Sequence, residues 1–535
     1  MVWFSRTDRD DKGVGPVVTQ NEAERYNLDG LGQMLPKLAA RYPDKVALIT
    51  SSRELTFAEL DRESSNLAAG LLARGVLAGE TVSLFSSNRW EWIVAYHAAL
   101  KAGAVVNPLN VMLTADEARF VMNDAQTSVL IASAERLTAV RSVLDDVATL
   151  RLTICFDESD ALSFTELVAI DAPDFGAARV DPASLACIAY TSGTTGHPKG
   201  AMQSHRSLVL NCAYTATMHA RSHHDIIVTA LPCTHVYGNV AINGTLMVGG
   251  TVALMERFDI AQSLTLISER KATLFEGVPT MYAMLLNSPE LASADLSSLT
   301  RCTVGGQTIA ESVIDAWESV SGAPLIELWG MTEVSGLGTT HPVFAPNVHG
   351  SIGVALPGTQ IKVVDLDDPS IELPAGQPGE LMMRGPLVTM GYYNNAKATA
   401  EAIEPDGWLH TGDVATHDDL GHFYVVDRLK DMILTGGYNV YPAEIERVLI
   451  GHEAVALVAV GREPDEVKGE VAHAYVVRAT GRLASEVELI DYCRTLLAAY
   501  KVPRAVHFVE ALPTTSSGKL MRRKLRGLRE SEVAS

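Results

Sequence analysis

Residues Tyr190–Gly200 read YTSGTTGHPKG: five hydroxyl side chains, three glycines and one lysine within eleven residues, directly after the apolar run Leu185–Ala189. An apolar strand feeding a loop rich in Gly, Ser and Thr suits the wrapping of a polyphosphate. Glycine lets the backbone bend and approach closely, while main-chain N–H groups and hydroxyls supply donors. Lys199 adds a point charge for phosphate oxygens. The spacing is not that of a Walker A loop, because His197 and Pro198 separate the second glycine from the lysine. Taken alone, the segment also fits a surface turn built from turn-forming residues.

Working outward, α/β alternation begins after about twenty polar residues. Thr56 and Glu59 predict a capping box ahead of Leu60, Leu67 and Leu71, with Gly75 ending that helix. Strands are expected at Thr81–Phe85, from Val105, and at Ser128–Ala132, Leu185–Ala189, Thr251–Met255 and Leu325–Leu328, with a helix over Arg89–Lys101. This βαβ rhythm predicts an α/β fold with largely parallel, doubly covered sheets. From about residue 345 to 427, Pro and Gly punctuate short alternating segments such as Gln360–Val364 and Glu380–Met383, which predicts a small β-rich subdomain. A boundary is expected near Asp427–Asp431. It divides a large N-terminal domain, residues 1–429, from a small α+β domain, residues 430–535. In the latter, Ala454–Val460 and Val471–Val477 read as strands and Ser485 with Glu488 as a second capping box.

Bulk properties exclude some functions. The length of 535 residues exceeds one ordinary core. A formal net charge of −21 argues against a broad nucleic-acid footprint. The six cysteines lie far apart, with neither a disulfide framework nor zinc-ligand spacing. The charged N-terminus lacks the apolar core of a signal peptide, and no apolar run is long enough to span a bilayer. A cytoplasmic location is the default expectation; a homodimer is compatible with the sequence but not required by it.

Four further segments accompany the 190–200 loop: ELWGMTE at 327–333, HTGD at 410–413, DRLKDMILTGGYNVYPAEIE at 427–446 and PTTSSGK at 513–519. Together and in this order they resemble the adenylate-forming superfamily, which includes acyl-CoA synthetases, firefly luciferase and the adenylation domains of nonribosomal peptide assembly. The similarity runs from about residue 30 to 526. It implies a mobile C-terminal lid and the use of ATP, Mg²⁺ and coenzyme A. Adenylation turns a poorly electrophilic carboxylate into an acyl-AMP anhydride. Two anions must meet, so the site must supply positive charge and hydrogen-bond donors.

Residue by residue, the resemblance implies that Thr191, Ser192, Gly193, Thr194, Thr195 and Lys199 hold the β- and γ-phosphates. Thr332 bonds the α-phosphate, and Glu333, with Thr191, holds Mg²⁺. Asp413 accepts from the ribose hydroxyls and Arg428 donates on the ribose side. Trp329, where relatives more often carry tyrosine, sandwiches adenine against Gly305-Gly306. Lys519 enters between carboxylate and α-phosphate, Lys430 is the pivot, and Gly436-Gly437-Tyr438 lines the passage of the pantetheine arm. His235 guards the acyl entrance. The basic residues after Lys519 read as a solvated helix face.

The segments Val236–Asn239, Phe275–Met281, Val304–Gln307 and Ser335–Thr340 are candidate acyl-pocket walls. They are mainly small or apolar and contain no Lys or Arg to pair a second carboxylate. Gly336 and Gly338 are expected to leave room for a long or bulky tail. With no carrier module before Ser535, free coenzyme A is the expected acceptor. The resulting expectation is an ATP-dependent carboxylic acid:CoA ligase. Medium- or long-chain fatty acids come first as substrate and aryl acids of the coumarate or benzoate kind second. Loading of a separate carrier protein and a non-catalytic nucleotide-binding relative are the alternatives.

Overall fold

The computed structural model describes residues 28–191, 198–479, 481–514 and 520–528. Among these, two large sheets form the N-terminal part. The first runs in the order Leu162–Ser163, Leu152–Cys155, Thr127–Ala132, Thr81–Phe85, Val105–Pro108, Leu185–Thr191 and Lys199–Ser204. It is parallel except for its last pair. The second runs Val354–Ala355, Gly336–Thr340, Leu325–Met331, Arg301–Gly305, Leu274–Gly277, Ile226–Thr229, Thr251–Leu254, Val46–Ile49 and Glu54–Thr56. Its centre is parallel and its two edges are antiparallel.

The helices explain how the sheets stack. Trp90–Lys101 and Val236–Met247 are buried on nearly every side. A helix apolar all round belongs between layers, not on the surface. One continuous core therefore joins Leu84, Val106 and Ile131 of the first sheet to Val228, Phe275 and Leu325 of the second. The predicted capping box is formed: Glu59 N–H donates to Thr56 Oγ1 at 3.2 Å and Thr56 N–H donates to Glu59 Oε2 at 2.8 Å, opening the helix Phe57–Ala73. At Ser485 only the forward half is made, with Glu488 N–H donating to its hydroxyl at 3.2 Å.

Residues Gln360–Val364, Gly379–Arg384, Leu409–His417 and Phe423–Arg428 form a four-stranded antiparallel meander. After it comes a short turn, Leu429–Asp431. The smaller C-terminal domain then builds a sheet from Ile433–Thr435, Tyr438–Val440, Val455–Asp465, Gly469–Arg478 and Ala505–Phe508. It has its own core, including Ile445, Leu449, Val460, Val476 and Leu489. The basic tail is not a free helix face. Leu525 is 1% exposed, and Arg522 donates to Val460 O at 2.9 Å and to both carboxylate oxygens of Glu446. Among the described residues, no helix is long and apolar enough to cross a membrane.

Candidate active site

At the two ends of the 190–200 segment the strands Leu185–Thr191 and Lys199–Ser204 pair antiparallel, with Thr191 facing Lys199. Ser192, Gly193, Thr194 and Thr195 lie outside the described residues. On the second of these strands, Ala201 bridges to Tyr392, and Lys199 Nζ sits 5.2 Å from the centre of the Tyr392 ring. Tyr392 Oη–H in turn donates to Glu333 Oε1 at 2.7 Å. Burial, then the charge of Glu333, raises the Tyr392 phenol well above its ordinary pKa, so it stays a donor.

Thr332 and Glu333 occupy the turn between the strands Leu325–Met331 and Gly336–Thr340. Ser335 closes that turn at φ +59°, a left-handed conformation uncommon outside glycine. Side chains from elsewhere hold it there. Gln203 Nε2 donates to Thr332 O at 3.0 Å, and Asn211 Nδ2 donates to Val334 O at 3.0 Å and Leu337 O at 2.8 Å. Thr389 N–H donates to Glu333 O at 2.7 Å. Gln203, Asn211, Thr389 and Tyr392 carry no motif signal. Each works through main-chain or carboxylate contacts that only the folded chain creates.

Asp413 and Arg428 are cross-strand partners in the meander. Asp413 is 2% exposed. Trp329 Nε1–H donates to its Oδ2 at 2.7 Å, and Arg428 Nε lies 2.7 Å from Oδ1. The Asp413 charge, against the opposing effect of burial, raises the Arg428 guanidinium's pKa further. Gly306 ends the neighbouring strand Arg301–Gly305 at φ +92°, a position that requires glycine.

His235 N-caps the helix Val236–Met247, its Nδ1 accepting from Tyr237 N–H at 3.3 Å. Beside it lies a narrow cleft with a volume of about 10 Å³, room for roughly one water, with Tyr96, Cys187, Gln203, Leu208, Asn239 and Ser335 in its walls. The cleft thus adjoins both His235 and the turn that carries Thr332. Gly336 and Gly338 do not provide the expected space. A Cβ on Gly336 would meet Val240 Cγ2 at 2.5 Å, and one on Gly338 would meet Trp329 Cζ3 at 2.4 Å. These glycines admit neighbouring side chains, not a ligand.

Gly436 and Gly437 form a tight turn at φ +56° and +86°, and Tyr438 stacks on Tyr500 at 4.7 Å. Tyr438 is 58% exposed, and among the described residues no hydrogen bond joins this turn to Glu333 or Asp413. Lys430 lies in the Leu429–Asp431 turn. Lys519 lies outside the described residues. The structure therefore brings together Thr191, Lys199, Thr332 and Glu333 in one group and Trp329, Asp413 and Arg428 in a second. The strand Leu325–Met331 and the turn after it link the two.

Residues 35–393 match the AMP-binding enzyme family, and residues 444–519 match the AMP-binding enzyme C-terminal domain. The chain belongs to the AMP-binding enzyme family. It is 33% identical to the long-chain-fatty-acid–CoA ligase of Bacillus subtilis (strain 168), over 92% of this chain and 94% of that one. It is 37% identical to the feruloyl-CoA synthase of an Amycolatopsis species, over 93% and 98%. The structure of ATP-bound MatB from Rhodopseudomonas palustris superposes with a TM-score of 0.86 at 30% identity, covering 94% of this chain and 100% of that one. This AMP-binding enzyme is an acyl-CoA synthetase of the adenylate-forming superfamily, an AMP-forming acid–thiol ligase using ATP and coenzyme A.

Proposed function

We propose that the enzyme activates a hydrophobic carboxylic acid, with medium- and long-chain fatty acids the first class and aryl acids the second. The observation carrying this reading is the character of the cleft beside His235. None of its wall residues is Lys, Arg, Asp or Glu. A second carboxylate or an ammonium on the substrate tail would be buried there without a counter-charge, at a cost of several kcal/mol. The Bacillus subtilis relative named for long-chain fatty acids supports the first class. The Amycolatopsis relative named for feruloyl-CoA supports the second.

The acid's carboxylate oxygen attacks the α-phosphorus of ATP, the bond to the β-phosphate oxygen breaks, and pyrophosphate leaves. The coenzyme A thiolate then attacks the acyl carbon, and AMP departs. Thr332 would donate to the α-phosphate, with Thr191, Ser192, Thr194, Thr195 and Lys199 around the β- and γ-phosphates. Lys519 would neutralise charge where the two anions meet, and His235 would border the acyl entrance. Trp329 with Gly305 and Gly306 would flank adenine. Asp413 and Arg428 would hold the ribose, an assignment supported by a buried Asp413 Oδ1 that has no hydrogen-bond donor among the described residues.

Glu333 fits a magnesium ligand. Its Oε1 is committed to Tyr392, and no described donor meets Oε2. Among the described residues no three His, Cys, Asp or Glu side chains cluster as a self-sufficient metal site. Magnesium characteristically takes one or two carboxylates and completes its shell with phosphate oxygens and water. When bound by Glu333 and Thr191, it would offset phosphate charge.

Residues 1–429 and 430–535 would be the two moving parts, pivoting at Lys430 and presenting Gly436-Gly437-Tyr438 to the pantetheine arm. A panel of acids tests the substrate reading, with coenzyme A-dependent AMP release as readout. Octanoate, palmitate or a cinnamate-type acid should exceed acetate and malonate by at least about 10-fold in kcat/KM. Turnover of acetate or malonate alone would refute it.

A further inference from the structure

We propose that Trp329 is a positioning residue for Asp413, so that preference for ATP over analogues lacking a ribose hydroxyl depends on the indole N–H. The inference rests on Asp413 as the ribose acceptor and deepens that assignment.

A carboxylate's terminal torsion is broad and two-fold, so one contact does not fix its plane. Here Oδ2 receives the Trp329 N–H at 2.7 Å. Oδ1 has Arg428 Nε beside it at 2.7 Å, yet no donor is aligned for a hydrogen bond to it. The carboxylate offers about four acceptor positions. Trp329 occupies one on Oδ2, and Oδ1 keeps its capacity for a hydroxyl. Arg428 places a positive charge beside Oδ1 without using up that capacity.

The donor is itself fixed. The indole is 7% exposed, and Gly338 packs so closely that an added Cβ would fall 2.4 Å from Cζ3 and 3.0 Å from Met383 Sδ. The ring has little room to swing. An indole can only donate, whereas a phenol at this position could donate or accept. With tryptophan here, Asp413 Oδ2 can only accept from this partner.

The test compares ATP, 2′-deoxy-ATP and 3′-deoxy-ATP in acid- and coenzyme A-dependent AMP formation by the full-length enzyme. The ratio of kcat/KM values within one preparation is independent of the folded fraction. Wild type should prefer ATP by at least about 10-fold, a size typical of one lost charged hydrogen bond. Trp329→Phe should cut that preference by about 10-fold, acting mainly on ATP, and Asp413→Asn should abolish it. The double variant should discriminate neither more nor less than Asp413→Asn alone. If Trp329→Phe does not fold, Gly338→Ala, which displaces the ring with its N–H intact, should lower the same ratio. Equal loss for all three nucleotides in Trp329→Phe, with discrimination still abolished in Asp413→Asn, would overturn the positioning role and leave the ribose assignment standing. No discrimination by wild type would overturn both.

Discussion

Tyr392 Oη–H donates to Glu333 Oε1 at 2.7 Å, joining side chains 59 positions apart in the chain. The same phenol ring lies under Lys199, which follows the proposed phosphate loop. Tyr392 thus fixes one oxygen of the proposed magnesium ligand and ties it to the strand that carries the loop. Tyr392→Phe should leave the fold intact, raise the magnesium concentration for half-maximal activity several-fold and lower kcat/KM for ATP by about 10-fold. That is the scale of one hydrogen bond to a charged group. Titrating magnesium at fixed ATP measures this, and an unchanged midpoint would contradict it.

Lys519 carries the sharpest expectation from the motif PTTSSGK. Lys519→Ala should lose acid-dependent adenylation by about 10²–10³-fold, as expected when a group aimed at transition-state charge is removed. The same variant should still make thioester from supplied acyl-AMP and coenzyme A. Equal loss in both half-reactions would show a structural role instead.

Lys430 sits in a three-residue turn anchored on both sides. Before it, Asp427 accepts from Ala443 N–H at 2.7 Å; after it, Asp431 lies 3.6 Å from Arg522 Nε. Proline fixes φ near −65° and removes the amide donor. Lys430→Pro should therefore leave one half-reaction close to wild type and slow the other by more than about 10-fold. Parallel changes in both, measured separately with acyl-AMP and with pyrophosphate exchange, would argue against a pivot.

Glu327 gives a pH prediction. It is 6% exposed, and burial pushes its carboxyl up to about 8, against the pull of Gly350 N–H and Arg447 and with Glu311 adding to the rise. Its ordinary value is about 4.3. Between these two values the native state holds more protons than the unfolded state, so this contribution to stability falls as pH rises and levels off above about 8. Glu327→Gln keeps an oxygen for Gly350 N–H, which donates to Glu327 Oε2 at 2.7 Å. The melting-temperature gap between Glu327→Gln and wild type should therefore widen in the variant's favour by about 2 °C or more from pH 5 to pH 9. A gap independent of pH would contradict this.

The parallel strands and the β-rich meander were legible because apolar runs bounded by Gly and Pro report local structure directly. Gln360–Val364 was read to the residue, whereas Val455–Asp465 runs past the predicted end at Val460. Lys199–Ser204, KGAMQS, was not legible as a strand, since it lacks a hydrophobic run and its start falls within the loop motif. Glu333, Asp413 and Arg428 stood out through their motifs. Tyr392 and Asn211 did not, because their importance lies in the partners they meet. Gly336 and Gly338 misled because a sequence shows that a side chain is missing but not whether Val240 or Trp329 fills the gap.

In the proposed reaction an acyl-adenylate forms at the Thr332–Glu333 turn and passes its acyl group to sulfur. Mass spectrometry of products from enzyme, magnesium, ATP and a hydrophobic acid tests it most directly. Without coenzyme A, a mixed acyl–phosphate anhydride with AMP should accumulate at up to about one equivalent per enzyme; adding coenzyme A should convert it to thioester and free AMP. Thioester production with no adenylate detectable under any condition, or ADP in place of AMP, would contradict the account.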